Sequence, residues 1–233
     1  IILTLHRNYK RDKGFKLFLT QLNFYLVDKI LLLNEDSYKY YKKIYKNKAI
    51  LSSSFIKPSK SEKQEYPLKS TDLERIKEFK AKGRVYCTCA HHLRYDGNNE
   101  IYGILEILDI FNDRKDIFLV FSDPSSEYSE LLTSKKIKYG NNIIVLNYQH
   151  SFLNVLDNSD VYLRNTTTDG DSLSIHEALG MGKKVLCSNV VSRPSGVLNF
   201  NLGDLRKKID LLDEPISTKK QIDTLKQLLE IYE

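Results

Sequence analysis

Short apolar runs alternate along this chain with segments in which apolar residues recur every three or four positions. The runs are almost continuous, which is typical of strands covered on both faces of a sheet. They predict strands at Ile1–Leu5, Lys29–Leu33, Ala49–Leu51, Arg84–Cys89, Ile117–Phe121, Ile143–Leu146, Val161–Leu163 and Lys183–Cys187. The periodic segments predict helices at 15–25, 34–47, 71–83, 101–111, 126–138, 152–156 and 172–181. This alternation predicts an α/β fold with a parallel sheet, in which ligands bind beyond the carboxyl ends of the strands.

One polar segment interrupts the alternation. Periodicity stops between Ser52 and Ser70, where Ser, Lys, Pro and Glu dominate, and this composition predicts a linker at 54–70. The linker separates a first unit, residues 1–53, from a second unit, residues 71–214. In the last part of the chain, 215–233, Ser217 is placed to cap a further amphipathic helix.

Composition narrows the class of protein. The 233 residues carry a net charge of +6, but no Gly-flanked aromatic residues or recognition-helix pattern support nucleic-acid binding. No apolar run is long enough to span a membrane. The one methionine is Met181, so we expect the natural N-terminus to be missing. Cys87, Cys89 and Cys187 lie in predicted strands without CxxC spacing, which predicts buried, reduced thiols in a cytoplasmic protein.

The most informative stretch is residues 160–194, DVYLRNTTTDGDSLSIHEALGMGKKVLCSNVVSRP, which predicts strand, loop, helix and strand. A Gly, Asp and Ser loop at a helix start presents unpaired amides and the positive end of the helix dipole, which together bind anions. Asp169 in the loop and Glu177 on the helix add carboxylates suited to neutral hydroxyls beside that anion. A phosphate next to sugar hydroxyls is what a nucleotide-sugar offers.

This stretch resembles the donor-binding signature of the retaining, two-domain (GT-B) glycosyltransferases, family 4 in particular. The family carries Glu-x7-Glu, and here the register is Asp169-x7-Glu177 with the continuation EALGMGKKV. Members that make polysaccharides, with a DGDSxSIxEALxxGxxVxxS core followed by RP, are more similar still. The segments NEDSYKYYKKIYKNKAILSSSFIKP and IYGILEIL also resemble the family, although the match is specific only from Val161 to Gly196.

The resemblance implies a fold and an activity. Residues 71–214 would form the Rossmann-like nucleotide-sugar-binding domain, and residues 1–53 the remnant of the acceptor-side Rossmann-like domain. The enzyme would transfer a sugar, of the hexosyl type, with retention from a nucleoside diphosphate-sugar to a polysaccharide or lipid-linked acceptor. The fragment alone would turn over poorly, because its acceptor half is incomplete.

Two acids carry the expected sugar contacts. By resemblance Glu177 would bind the nucleotide ribose, whereas the spacing from Ser174 to Glu177 alone fits an ordinary capping box. Asp169 would contact the hydroxyls of the donor sugar, whereas a loop Asp often bonds its own backbone instead. Its side chain is shorter than the Glu of the family motif.

The helix start and two arginines are the expected diphosphate ligands. Backbone amides of Gly170, Ser172, Leu173 and Ser174 would hold the diphosphate, while Asp171 or Ser172 caps the helix and the Asp171 carboxylate points elsewhere; Arg94 and Arg193 would add charge. Tyr102 stands near where the family often has Lys. A solvated loop Arg94 and a surface turn at Arg193 are the ordinary alternatives.

Other interpretations of the motifs remain open. Asp169-Gly170-Asp171 spells DxD, which holds a metal in GT-A glycosyltransferases, but the GT-B register implies no metal and no cofactor besides the donor. The basic, Tyr-rich segment KYYKKIYKNK is either a solvated helix face or a peripheral contact with the anionic inner face of the cytoplasmic membrane. The alternative functions are a non-catalytic nucleotide or sugar-phosphate-binding module and a two-domain nucleotide-sugar epimerase.

Overall fold

A computed structural model describes residues 1–5, 9–52, 65–112 and 114–212. The strands are β1 Ile2–Leu5, β2 Lys29–Leu32, β3 Ala49–Leu51, β4 Arg84–Cys89, β5 Tyr95–Asp96, β6 Asn99–Glu100, β7 Ile117–Ser122, β8 Ile143–Leu146, β9 Val161–Arg164, β10 Lys184–Ser188 and β11 Leu198–Phe200. The helices are α1 Gly14–Leu26, α2 Glu35–Ile44, α3 Ser70–Lys82, α4 Ile104–Asn112, α5 Glu127–Ser134, α6 Phe152–Asp157, α7 Leu173–Gly180 and α8 Leu205–Asp210. Most of the predicted linker and the predicted helix within 215–233 lie outside the described residues.

The larger sheet has six parallel strands in the order β11-β10-β9-β4-β7-β8. The strands inside the sheet are buried on both faces, because successive side chains point to opposite sides and helices pack against each side. In β4, Tyr86 packs into one core cluster with α4, α5 and α8, while its neighbours Val85 and Cys87 pack into the other with α3, α6 and α7. The predicted α/β class with a parallel sheet flanked by helices is therefore confirmed.

The strand order reverses between β4 and β9. From β4 the chain builds outward through β7 and β8, and then it crosses back to add β9 and β10 on the other side. Tyr86 pairs with Val161 and Cys87 with Tyr162 across this junction. Ligands of open parallel sheets bind at such a reversal, where neighbouring loops diverge.

The smaller sheet comes from the first 51 residues, with parallel strands in the order β1-β2-β3. Its core centres on Phe24 of α1 and Tyr41 of α2, which meet edge to face at 4.8 Å. Asn34 caps α2 as the pattern predicts, since its Oδ1 accepts from the Ser37 amide at 2.9 Å.

The tyrosines of KYYKKIYKNK face inward. Tyr41 is fully buried, and Tyr40 and Tyr45 pack partly buried against the same cluster. By contrast, most of the large apolar residues of α1 are exposed, and its buried residues are Thr20 and Phe24. The exposed apolar side chains of α1 form what we call the α1 stripe: Phe15, Phe18, Leu19, Leu22, Tyr25 and Leu26.

Some elements differ from the sequence prediction. The short strands β5, β6 and β11 were not predicted, because two or three residues give too little periodicity. The helix predicted at 126–138 ends at Ser134, since the chain takes a positive φ of 54° at Lys136. The helix predicted from Thr71 begins at Ser70, and its N-cap, Lys69, makes no side-chain capping bond.

Candidate functional site

Two loops meet at the reversal between β4 and β9. The Thr167 amide donates to the Ile101 carbonyl at 2.8 Å, which joins the loop after β9 to the loop after β4. Gly103 lies so close to Asn165 that an added Cβ would be 2.4 Å from its Nδ2 and 2.5 Å from its carbonyl oxygen. Only glycine fits here, and its φ of 60° also favours it. The close approach fixes the position of the polar residues that follow β9.

Helix α7 starts at this edge of the sheet. Ser172 occupies the N-cap position without a side-chain capping bond. Ser174 is inside the helix, and its hydroxyl lies 2.7 Å from the buried Tyr162 hydroxyl of β9. Ser174 and Glu177 therefore do not form the capping box that their spacing allows. The first amides of α7, including those of Leu173 and Ser174, have no acceptor within the helix and are available to an anion.

The side chain of Asp169 is only 8% exposed, and its carboxylate accepts five hydrogen bonds. Arg164 donates from Nε to Oδ2 at 3.1 Å and from Nη2 to Oδ1 at 3.0 Å. Arg193 donates from Nη1 to Oδ2 at 2.7 Å, and the Thr166 hydroxyl and the Gly170 amide add bonds at 3.3 and 3.0 Å. The predicted contact of Asp169 with a donor sugar stays a prediction, and it requires some of these bonds to rearrange.

Arg193 is buried rather than free in the cleft. Its side chain is 1% exposed, and besides Asp169 it donates from Nε to the Ser188 carbonyl at 2.9 Å. Nη2 lies 3.3 Å from the Thr166 hydroxyl. These bonds tie the loop after β10 to the loop after β9, so the predicted diphosphate contact of Arg193 also stays a prediction.

The balance of charges sets the ionisation of Asp169. Burial alone would raise the pKa of its carboxyl, but the adjacent guanidinium groups of Arg164 and Arg193 outweigh burial and hold that pKa below its usual value. Asp169 is therefore a carboxylate at neutral pH. We call Arg164, Asp169 and Arg193 the buried ion cluster.

The other predicted residues lie around this cluster. The Asp171 carboxylate is 2.5 Å from His176 Nε2 on α7. Glu177 is partly buried on α7 and acts electrostatically on the Cys89 thiol at the end of β4, whose pKa is raised mainly by burial. Arg94 is exposed before the β5–β6 hairpin, and within the described ranges no hydrogen bond or ion pair joins it to the buried ion cluster.

A cavity of about 320 Å³ opens beside Arg193. One wall follows the ends of β2 and β3, and the other follows β9, β10 and the first turn of α7. The lining residues are Leu33, Asn34, Glu35, Leu51, Ser52, Gly170, Asp171, His176, Ser192, Arg193 and Pro194. Both sheets therefore present the carboxyl ends of their strands to one cleft.

The sequence prediction missed Arg164. It ends the apolar run of β9, and an Arg at a strand end is usually a solvated cap, so no local pattern distinguishes it. No group of three or more metal-ligating side chains occurs within residues 1–5, 9–52, 65–112 and 114–212. In the same part of the chain no helix combines the length and apolar character needed to cross a bilayer.

No known family profile matches the chain, and no curated protein matches it. Solved structures do. Anabaena Alr3699/HepE in complex with UDP-glucose is 11% identical, with a TM-score of 0.63 over 90% of this chain and 60% of that one. The trehalose-6-phosphate synthase OtsA is 15% identical, with a TM-score of 0.65 over 92% and 59%.

The sucrose-phosphate synthase of Thermosynechococcus elongatus is 14% identical, with a TM-score of 0.62 over 91% of this chain and 58% of that one. The chain thus spans about 60% of the length of the structures it resembles. Its fold is that of the Rossmann-like domains of GT-B glycosyltransferases.

Proposed function

We propose that this chain carries the donor site of a glycosyltransferase. The enzyme transfers a sugar, of the hexosyl type and with retention, from a nucleoside diphosphate-sugar to a polysaccharide or lipid-linked acceptor in the cytoplasm. The signature around Glu177 is similar to that of family 4, and we propose that class for the chain. The domain division at 54–70 belongs to the same proposal.

One observation carries it. At the strand-order reversal, the start of α7 and the buried ion cluster lie on the same edge of the six-stranded sheet, next to a cleft. Helix amides and guanidinium groups together suit a diphosphate. The likeness to a structure that holds UDP-glucose supports this use of the edge.

Each residue of the site has a proposed role in binding the donor. Amides from Gly170 to Ser174 hold the diphosphate, with the exposed Arg94 as an added cation, and Glu177 binds the ribose. The protein acts by positioning the donor and by stabilising charge on the departing diphosphate, so we name no nucleophile or general base. The donor is the only small molecule required, and no metal takes part.

Glu177→Gln tests the ribose contact. A carboxylate that accepts hydrogen bonds from neutral hydroxyls contributes more than an amide, so affinity for the preferred nucleoside diphosphate should fall about tenfold to a hundredfold. Isothermal titration with UDP, GDP and ADP measures it. Glu74→Gln on the exposed face of α3 is the matched control and should bind as wild type does.

Slow release of sugar separates the enzyme from its alternatives. Incubation with a panel of nucleoside diphosphate-sugars should release the sugar slowly by transfer to water. Tight donor binding with an intact donor after prolonged incubation would instead favour the non-catalytic binding module. Conversion of the donor to its epimer would favour the epimerase.

We also propose that the α1 stripe, rather than the inward-facing tyrosines of α2, touches an anionic membrane. Residues 1–52 contain 11 Lys and Arg but only 4 Asp and Glu, so the part of the chain that carries this stripe is strongly basic. Lys48 Nζ lies 5.7 Å from the ring centroid of Tyr25 within it. Exposed apolar side chains flanked by lysines suit the interface of an anionic bilayer, where a lipid-linked acceptor lies.

Vesicle flotation tests the membrane contact. The double change Phe18→Ser and Leu22→Ser should reduce binding to phosphatidylglycerol vesicles at least tenfold, because two large apolar side chains no longer insert. Tyr139→Ser, an exposed aromatic on the larger domain, should bind like wild type. Equal binding by the double variant would refute the contact. Stripe-dependent dimers without vesicle binding would show that a second copy covers α1.

A further inference from the structure

Arg164 is a buried cation, and one nitrogen of its guanidinium makes no hydrogen bond to the described residues. Its side chain is 13% exposed, its Nε and Nη2 donate to Asp169, and its guanidinium carbon lies 5.2 Å from the ring centroid of Tyr102. Among the described residues Nη1 has no hydrogen-bond partner. The ion pair and the ring fix the plane of the guanidinium, so the direction of Nη1 is set before any ligand arrives.

The buried ion cluster has more positive than negative charge. Arg164 and Arg193 contribute two positive charges and Asp169 one negative charge, and all three side chains are at least 87% buried. Burial lowers the pKa of the Arg164 guanidinium, but Asp169 and the surrounding polar groups raise it well above its ordinary value, so it stays charged. The neighbouring Tyr162 and Cys89 are neutral at pH 7, because burial raises the pKa of each.

A buried excess charge is unfavourable unless a counter-ion offsets it. α7 starts nine residues after Arg164, and the positive end of its dipole adds to the excess positive charge. A ligand with two or more negative charges would balance both the net positive charge of the buried ion cluster and the positive end of the α7 dipole. A sugar alone would not, because it is neutral.

We infer that Arg164 binds the diphosphate of the donor through Nη1, and that Asp169 is a positioning residue that orients Arg164 and Arg193. This inference rests on the proposed donor site and names the cation of that site. Arg164 lies at the end of β9, at the strand-order reversal, whereas Arg94 is exposed on the loop after β4. Arg164 thus supplies a second cation to the diphosphate, from the strand next to α7.

Arg164→Gln and Arg164→Lys test the assignment. Arg114→Gln is the matched control, because Arg114 is also a largely buried, ion-paired arginine but lies outside the proposed donor site. Titrations use inorganic pyrophosphate, UDP, GDP, ADP and the corresponding nucleosides. Removing one charge-assisted hydrogen bond should weaken pyrophosphate and the preferred diphosphate about 10-fold to 100-fold in Arg164→Gln, with nucleoside affinity within about threefold. Arg164→Lys keeps the charge and should recover part of the loss, which a purely structural role would not produce.

The outcomes separate the two proposals. Diphosphate binding by Arg164→Gln equal to wild type would overturn the role of Arg164 and leave the donor site standing. Wild-type binding of pyrophosphate without preference for any nucleoside diphosphate would support the anion site and count against the proposed function. If Arg164→Gln fails to fold, the side-chain Nε–H resonance of Arg164 in wild type decides: it should shift on adding pyrophosphate, and an unchanged resonance would overturn the assignment.

Discussion

Asp169→Asn should cost this protein a large share of its stability. The substitution keeps the volume of the side chain but removes its charge, and it leaves Arg164 and Arg193 buried without a carboxylate. Breaking a buried ion pair by removing one partner costs about 3–5 kcal/mol. The amide oxygen of Asn can still accept hydrogen bonds from the arginines, so we expect a loss of about 3 kcal/mol, at the lower end of this range. A whole domain is stable by only about 5–15 kcal/mol.

Urea unfolding at pH 7, followed by far-UV circular dichroism, measures this loss. Asp116→Asn is a matched control, because Arg114 also grips Asp116 through two nitrogens, at 2.8 and 2.7 Å, but that carboxylate is 63% exposed. An exposed ion pair contributes about 0–1 kcal/mol, so the free energy of unfolding of Asp116→Asn should differ little from that of wild type. Equal unfolding free energies for Asp169→Asn and Asp116→Asn would refute the reasoning.

The pH dependence gives the same prediction a second measurement. Because the folded-state pKa of Asp169 is lowered, its contribution is complete above the unfolded-state pKa of about 3.9 and is lost as the pH falls through the folded-state pKa. The stability difference between wild type and Asp169→Asn should therefore be constant near neutrality and shrink below about pH 4. A difference that stays constant into strong acid would contradict the ionised carboxylate.

Two further predictions follow from the fold. Gly103→Ala should lower the unfolding free energy by about 2–3 kcal/mol, because the added Cβ would collide with Asn165. Gly182→Ala is the control: Gly182 also has a positive φ but has open space around it, so the loss should be about 1 kcal/mol. Similar losses in the two variants would refute the close approach of Gly103 to Asn165. His150, which lies 2.8 Å from the Ser122 hydroxyl, should titrate by NMR below 6.5, because burial lowers its pKa. Its stabilising effect is then complete above pH 6.5 and is lost as the pH falls; a midpoint at or above 6.5 would contradict it.

The strands of the larger sheet were the most predictable part of the fold. Arg84–Cys89 and Ile143–Leu146 have the bounds that their apolar runs predict, because a strand buried on both faces needs apolar residues at every position. The edge strand Leu198–Phe200 escaped prediction because it has three residues and an exposed Asn199. Length and position in the sheet, rather than composition, decide which strands a pattern reveals.

Only the part of the site formed by residues close together in sequence could be predicted. The residues from Asp169 to Glu177 locate the helix start and the loop before it. The pairing of Asp169 with Arg193 spans 24 residues and depends on how β9 and β10 place their loops, so no spacing rule predicts it. The same holds for Arg164, whose importance comes from Tyr102 and Asp169 on either side.

The α1 stripe shows a different limit of prediction from sequence. Its apolar residues have good helical spacing, and the pattern correctly predicts a helix at 15–25. Periodicity alone does not say which face is buried, and here the exposed face has more large apolar side chains than the buried one. An amphipathic pattern therefore predicts the helix and leaves the partner of each face to the tertiary structure.

A structure of this chain with a nucleoside diphosphate would test the central claim most directly. We expect phosphate oxygens within hydrogen-bonding distance of the amides between Gly170 and Ser174 and of Arg164 Nη1, with the ribose hydroxyls at Glu177. A diphosphate bound elsewhere on the sheet, with the start of α7 and the buried ion cluster untouched, would contradict the donor site.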